Sequence, residues 1–190
     1  MPVDAQSLNL PRMDADAFMR WYDEQADGPR YELLDGQVFQ PERESVLHAR
    51  VKMRVAEALR QQIVARGLRG EAMGDGMCVR VDAHSVFIPD AWLRCGLPLP
   101  GLAVLVEDPL IVVEIVAFAA QPVDALAKLA HYFNSPAVAH YLIVLATHEC
   151  AIHHRRLADG QIVTRVLRAG VIRFDPPGVE LDLAEVWGEG

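Results

Sequence analysis

The chain has 190 residues, 52% of them hydrophobic and 23% charged. This length and apolar content exclude global disorder and let one core form without disulfides or metals, so a single domain over residues 1–190 is expected. The net charge of -8 excludes a broadly basic surface of the kind that binds nucleic acid non-specifically, although carboxylates holding a cation can reverse the sign within a cleft.

Asp14 is placed to cap a short helix carrying Phe18, Met19, Trp21 and Tyr22, which should stop near Gly28 and Pro29. In residues 31–40, Asp35 and Gly36 separate two β-prone runs, a hairpin signal. Leu47, Val51, Val55, Leu59 and Ile63 recur every four positions ahead of Gly67, and this spacing predicts the longest helix over residues 45–66. Met77, Val79 and Val81 alternate with polar residues, and a second apolar run at 86–88 follows the turn-like Asp82, Ala83 and His84. An antiparallel pair ending at Pro89 and Asp90 is expected.

Residues 95–109, rich in proline and glycine, read as an exposed connection or flap. Residues 110–116 have the continuous apolar character of a strand buried on both faces, interrupted only by Glu114. Residues 124–133 read as a helix with Leu126, Leu129, Ala130 and Phe133 as its packed stripe, ended by Asn134, Ser135 and Pro136. A buried strand at 141–146, a hairpin formed by 151–157 and 162–167, and a short strand at 171–174 complete the order. The class expected is α/β (α+β): a mixed β-sheet flanked by helices, with additional β-hairpins.

Cys78, Cys95 and Cys150 cannot all pair and form no CxxC motif, as suits thiols of a reducing compartment. The N-terminus lacks the features of a secretory signal, and no apolar run reaches the roughly 18 residues of a membrane span, so a cytoplasmic location is expected. No glycine-rich phosphate loop follows a strand and no serine sits in a GxSxG elbow, which argues against a nucleotide-dependent enzyme and a serine hydrolase.

An ionised Glu114 inside an apolar strand costs several kcal/mol unless a cation, a metal or several donors meet it. A structural pair with an arginine is one answer. The other is a metal shared with Asp90, which follows Pro89 where pairing should break and the strand bend. His48 shares a helical face with Val51 and Val55, so it should point inward, either as a satisfied core histidine or as a group near a metal. His131, His140, His148, His153 and His154 show no metal-ligand spacing and are expected to be surface or structural.

Several short stretches together resemble the Uma-two family of restriction-endonuclease-like proteins, a branch of the PD-(D/E)xK nuclease superfamily. They are Pro11 to Met13, YELLDG at 31–36, His48, IPD at 88–90, VVEIV at 112–116, and Asp124, Lys128 and Tyr132 spaced by four; the match runs over residues 11–157. The resemblance implies a metal-dependent endonuclease acting on DNA, with Mg²⁺ or Mn²⁺ held by Asp90, Glu114 and the backbone carbonyl of Ile115. Where the superfamily motif ends in lysine this chain has Val116, and the resemblance passes the charge-stabilising role to Lys128. It makes Glu32 an additional acid and His48 a catalytic histidine of the site.

Two features pull the other way. Helix geometry puts Lys128 opposite the expected apolar stripe, where a solvated pair with Asp124 explains it equally well. After the second acid the family continues with small polar residues, whereas this chain has Ala117, Phe118 and Ala119 and lacks those hydroxyls. The alternative is therefore a catalytically inactive nuclease-fold module acting in protein interaction or oligomerisation. A nuclease that cuts both strands needs two sites, so a homodimer is expected, through the hairpin at 151–167 or the segment ending in Val186 and Trp187.

Overall fold

The carboxylate of Asp14 accepts a hydrogen bond from the Ala17 amide at 2.7 Å and so starts the first helix where the sequence puts it. The structure is a computed structural model that describes residues 6–25, 28–41, 43–117 and 121–188, without the side chains of 6, 7 and 121–124. Its first half runs β1 (Gln6–Ser7), α1 (Ala15–Asp23), β2 (Glu32–Leu34), β3 (Gln37–Gln40), α2 (Val46–Ala65), β4 (Gly70–Gly74), β5 (Cys78–Asp82), β6 (Ser85–Phe87), β7 (Ala91–Cys95) and β8 (Leu105–Val106). Its second half runs β9 (Ile111–Val116), α3 (Gln121–Tyr132), β10 (His140–Leu145), β11 (Cys150–Arg156), β12 (Ile162–Leu167), β13 (Val171–Phe174), β14 (Val179–Asp182) and α4 (Leu183–Trp187).

One sheet has the order β12-β11-β10-β9-β7-β4; a second has β1-β3-β2-β6-β5-β8; β13 and β14 form a small hairpin. Within the first sheet β9 and β10 are parallel and joined through α3, while every other pairing is antiparallel, so the sheet is mixed. This is an α+β architecture of mixed sheets flanked by helices.

All six residues of β9 are buried, because the strand is covered on both faces. Ile111, Val113 and Ile115 face Val51, Val55 and Leu59 of α2, in a core closed by Phe174, Leu181 and Val186. Val112 and Val116 face the other way, toward Ala125 and Tyr132 of α3 and Val79, Val81 and Phe87 of the second sheet. Strand alternation sends Glu114 to that second face, under α3. A third cluster packs Phe18 of α1 against Leu33, Val38 and Val86.

Four expectations need correction. β4 and β7 were not anticipated: pairing does break at Asp90, but it resumes one residue later, with Ala91 opposite Val113 and Gly74. The first helix ends at Asp23, short of Gly28. The buried stripe of α3 is Ala125, Lys128 and Tyr132, while Leu126 is 52% exposed. Val186 is fully buried in the core and cannot serve an interface, whereas β12 is an edge strand with Ile162, Val163 and Val166 exposed.

Candidate functional site

Ser45 caps α2 by accepting from the His48 amide at 3.1 Å, which fixes His48 in the first turn on the face it shares with Val51 and Val55. The buried imidazole places Nε2 2.7 Å from Oδ1 of Asp90. The other Asp90 oxygen accepts from the Ile115 amide at 2.7 Å, and the Asp90 amide donates to the Val113 carbonyl at 3.0 Å. Asp90 thus holds β9 on both sides of Glu114. Pro89 is what frees this position from the regular ladder, since it has no amide to pair.

Glu114 meets α3 instead. Its Oε1 accepts from the Tyr132 hydroxyl at 2.7 Å and lies 3.4 Å from Lys128 Nζ. The same Nζ lies 2.7 Å from Oε2 of Glu32, whose Oε1 accepts from the Ile88 amide at 2.8 Å. Glu32 reaches this point from the second sheet because it alternates with Leu33, which packs toward α1. Lys128 also sits 5.3 Å from the centre of the Phe87 ring. Burial, and then the Glu114 charge, push the Tyr132 hydroxyl well above its ordinary pKa, so it stays a proton donor.

All five side chains singled out in the sequence are therefore buried and arranged as two linked groups. One is His48 with Asp90; the other is Glu32, Lys128 and Glu114, to which Tyr132 is added; the backbone of 88–90 and β9 joins them. Glu114 has the compensation its burial demands, from a lysine and a tyrosine rather than an arginine. Lys128 is in the site and not on a solvated face. Ala117 is buried, and Phe118 and Ala119 lie outside the described residues, as does the side chain of Asp124.

Glu44 was missed. It precedes the α2 cap, and donor atoms of Glu44, His48 and Asp90 all lie within 4.8 Å of one another, a grouping that does not include Glu114. The available signal was an acid one helical turn before His48. Glu44 also pairs with Arg30 and Lys52, and both of these cations pair with Asp75. Burial works to raise the Glu44 carboxyl, but the hydrogen bonds from Lys52 and Arg30 outweigh it and hold the group below its ordinary pKa. Carboxylates with one imidazole make a donor set that fits Mg²⁺ or Mn²⁺, and His48 Nδ1 is buried with no hydrogen-bond partner among the described residues.

The six other histidines are outside this cluster. His140 and His153 stack and share a hydrogen bond at 3.0 Å, in a structural role. The three cysteines are free. Among the described residues no helix is long and apolar enough to cross a membrane.

A solved structure titled "Crystal structure of a putative nuclease belonging to DUF820 from Anabaena variabilis ATCC 29413" is similar in fold, with a TM-score of 0.70 over 84% of this chain and 90% of that one. The two share 11% sequence identity, so the likeness is one of fold. No curated protein matches. The family model described as "Uma2: Putative restriction endonuclease" matches residues 15–184, nearly the whole chain. The chain belongs to the Uma2 family.

Proposed function

We propose that this protein is a metal-dependent endonuclease that hydrolyses DNA phosphodiester bonds, with Asp90 and Glu114 as the principal carboxylates for Mg²⁺ or Mn²⁺ and the Ile115 carbonyl as a backbone ligand. The observation that carries it is Lys128: a buried ammonium 3.4 Å from Glu114, available to take the place of the superfamily's motif lysine, where this chain has Val116. A bound divalent cation polarises the phosphate and lowers the pKa of water.

The chain's own groups have separable tasks. Asp90, bridged between His48 and the Ile115 amide, presents its carboxylate in one fixed orientation. Tyr132 orients Glu114, and Glu32 orients Lys128. Lys128 Nζ offsets negative charge that grows on the phosphate, a task preorganised cations commonly perform. His48 is suited to relay a proton through Nε2.

Nicking of supercoiled plasmid with Mg²⁺ or Mn²⁺, compared with chelator and with Glu114→Ala, tests this reading. Activity that chelator and Glu114→Ala both abolish is expected; activity unchanged in the variant rejects it. We also infer a cytoplasmic homodimer paired through the exposed edge of β12. Light scattering should give twice the 21.0 kDa chain mass.

One observation favours the non-catalytic reading. Glu114 is satisfied by Lys128 and Tyr132, so its burial by itself does not require a metal. Absence of nicking by a protein that still dimerises would select it.

A further inference from the structure

The metal-dependent reading leaves a question of charge: two cations, Arg30 and Lys52, lie beside the His48 and Asp90 pair. Each of them contacts both Glu44 and Asp75. Two acids thus serve two cations, yet only Glu44 is also within 4.8 Å of His48 and Asp90. If Glu44 turns toward those residues, Asp75 still contacts both cations, one carboxylate against two positive charges.

Resting on the metal-dependent reading, we propose that Glu44 is an exchangeable ligand that, with His48 and Asp90, completes a divalent-cation site at the start of α2, and that Asp75 retains Arg30 and Lys52 when it does. Three observations converge. The donor atoms are already clustered. His48 is 5% exposed and its Nδ1 has no partner among the described residues, so the ring has coordination capacity beyond its contact with Asp90. Glu44 directly precedes the capping Ser45, and from there its carboxylate contacts Arg30 and Lys52 while staying within reach of the His48 and Asp90 donor atoms.

The donor set has chemical consequences. Two carboxylates and an imidazole give a site of mixed hard and borderline character, which favours Mn²⁺ over Mg²⁺ more strongly than an all-oxygen site does. Ordinary pairing with Arg30 and Lys52 makes a different prediction, because it ties Glu44 to stability and not to metal affinity.

Calorimetric titration of Mn²⁺ and Mg²⁺ into the full chain separates the two. Glu44→Gln should weaken Mn²⁺ binding by about tenfold or more and remove most of the metal-induced rise in Tm. Glu44→Asp keeps the charge that Arg30 and Lys52 require, so it preserves the fold while withdrawing the ligand atom; it should also weaken Mn²⁺. Glu57→Gln, on the exposed face of α2, removes the same charge and should leave affinity unchanged. Wild-type affinity in both Glu44 variants overturns the proposal; if Glu114→Gln then abolishes binding, the metal-dependent function stands without Glu44. Absence of Mn²⁺ binding to the wild-type chain overturns the proposal and the metal-dependent reading together.

Discussion

Lys128 and Glu32, 96 positions apart in sequence, meet at 2.7 Å with both side chains buried. Glu114 shares that ammonium at 3.4 Å, so one cation stands between two carboxylates in a region shielded from water. Removing it exposes each acid to the other. Lys128→Met should cost about 3 kcal/mol or more in urea unfolding, because breaking a buried pair strands the remaining charge. Glu32→Gln in the same chain should recover part of the loss, a coupling that a double-mutant cycle measures.

Asp90→Asn should reduce metal-dependent nicking by at least about a hundredfold while leaving the circular-dichroism spectrum unchanged. An asparagine side chain can still accept from the Ile115 amide, so the strand end keeps that contact and the loss falls on charge. An unfolded variant would assign Asp90 to structure instead.

Tyr132→Phe removes the hydroxyl that donates to Glu114 at 2.7 Å and keeps the ring contacts to Phe87 and Tyr141. The expected cost is about 1–3 kcal/mol in denaturant unfolding, the range for a lost hydrogen bond to a charged group. Nicking should fall as well, and because Glu114 keeps its charge the fall should be smaller than in Asp90→Asn.

Stability should decline in mild acid through a pair of histidines remote from this chemistry. Burial is the main cause that holds His140 down to about 4 and His153 to about 3, against an ordinary value of 6.5. The unfolded chain therefore takes up protons first as pH falls below about 6.5, and the folded state loses stability from there toward pH 4 and 3. Each histidine contributes a slope of up to about 1.4 kcal/mol per pH unit. His153→Leu should flatten Tm against pH between 6.5 and 4.5, above the ordinary Glu pKa of 4.5.

Much of this fold was legible because periodicity and breakers agreed. The spacing of Val51, Val55 and Leu59 located α2, and Asp35 and Gly36, both at positive φ, located the first hairpin turn. β4 was not legible because its sequence, GEAMG, carries no β-branched residue, and only pairing with β7 makes it a strand. α3 was read only in part for a related reason: Leu129 and Phe133 do pack against the core, but Leu126 and Ala130 are exposed. Hydrophobic periodicity assigns polar residues to water, but here Lys128 faces inward because Glu32 and Glu114 are there to receive it. Glu44 was passed over because its spacing from His48 is only a weak local signal, and its nearness to Asp90 is a long-range contact that no local spacing encodes.

The route by which these two groups of side chains are assembled also determines when they can exist. Glu32 arrives on one sheet, Glu114 on another, Asp90 in the break just before β7, and His48 and Lys128 on two helices, with the parallel step from β9 to β10 requiring α3 to cross between them. None of these contacts is local, and long-range closure of this kind comes late in folding. A chain still emerging from the ribosome, or one cut before α3, holds no complete set of these groups. Assembly itself is the safeguard: the two linked groups stand side by side only in a molecule that has finished folding.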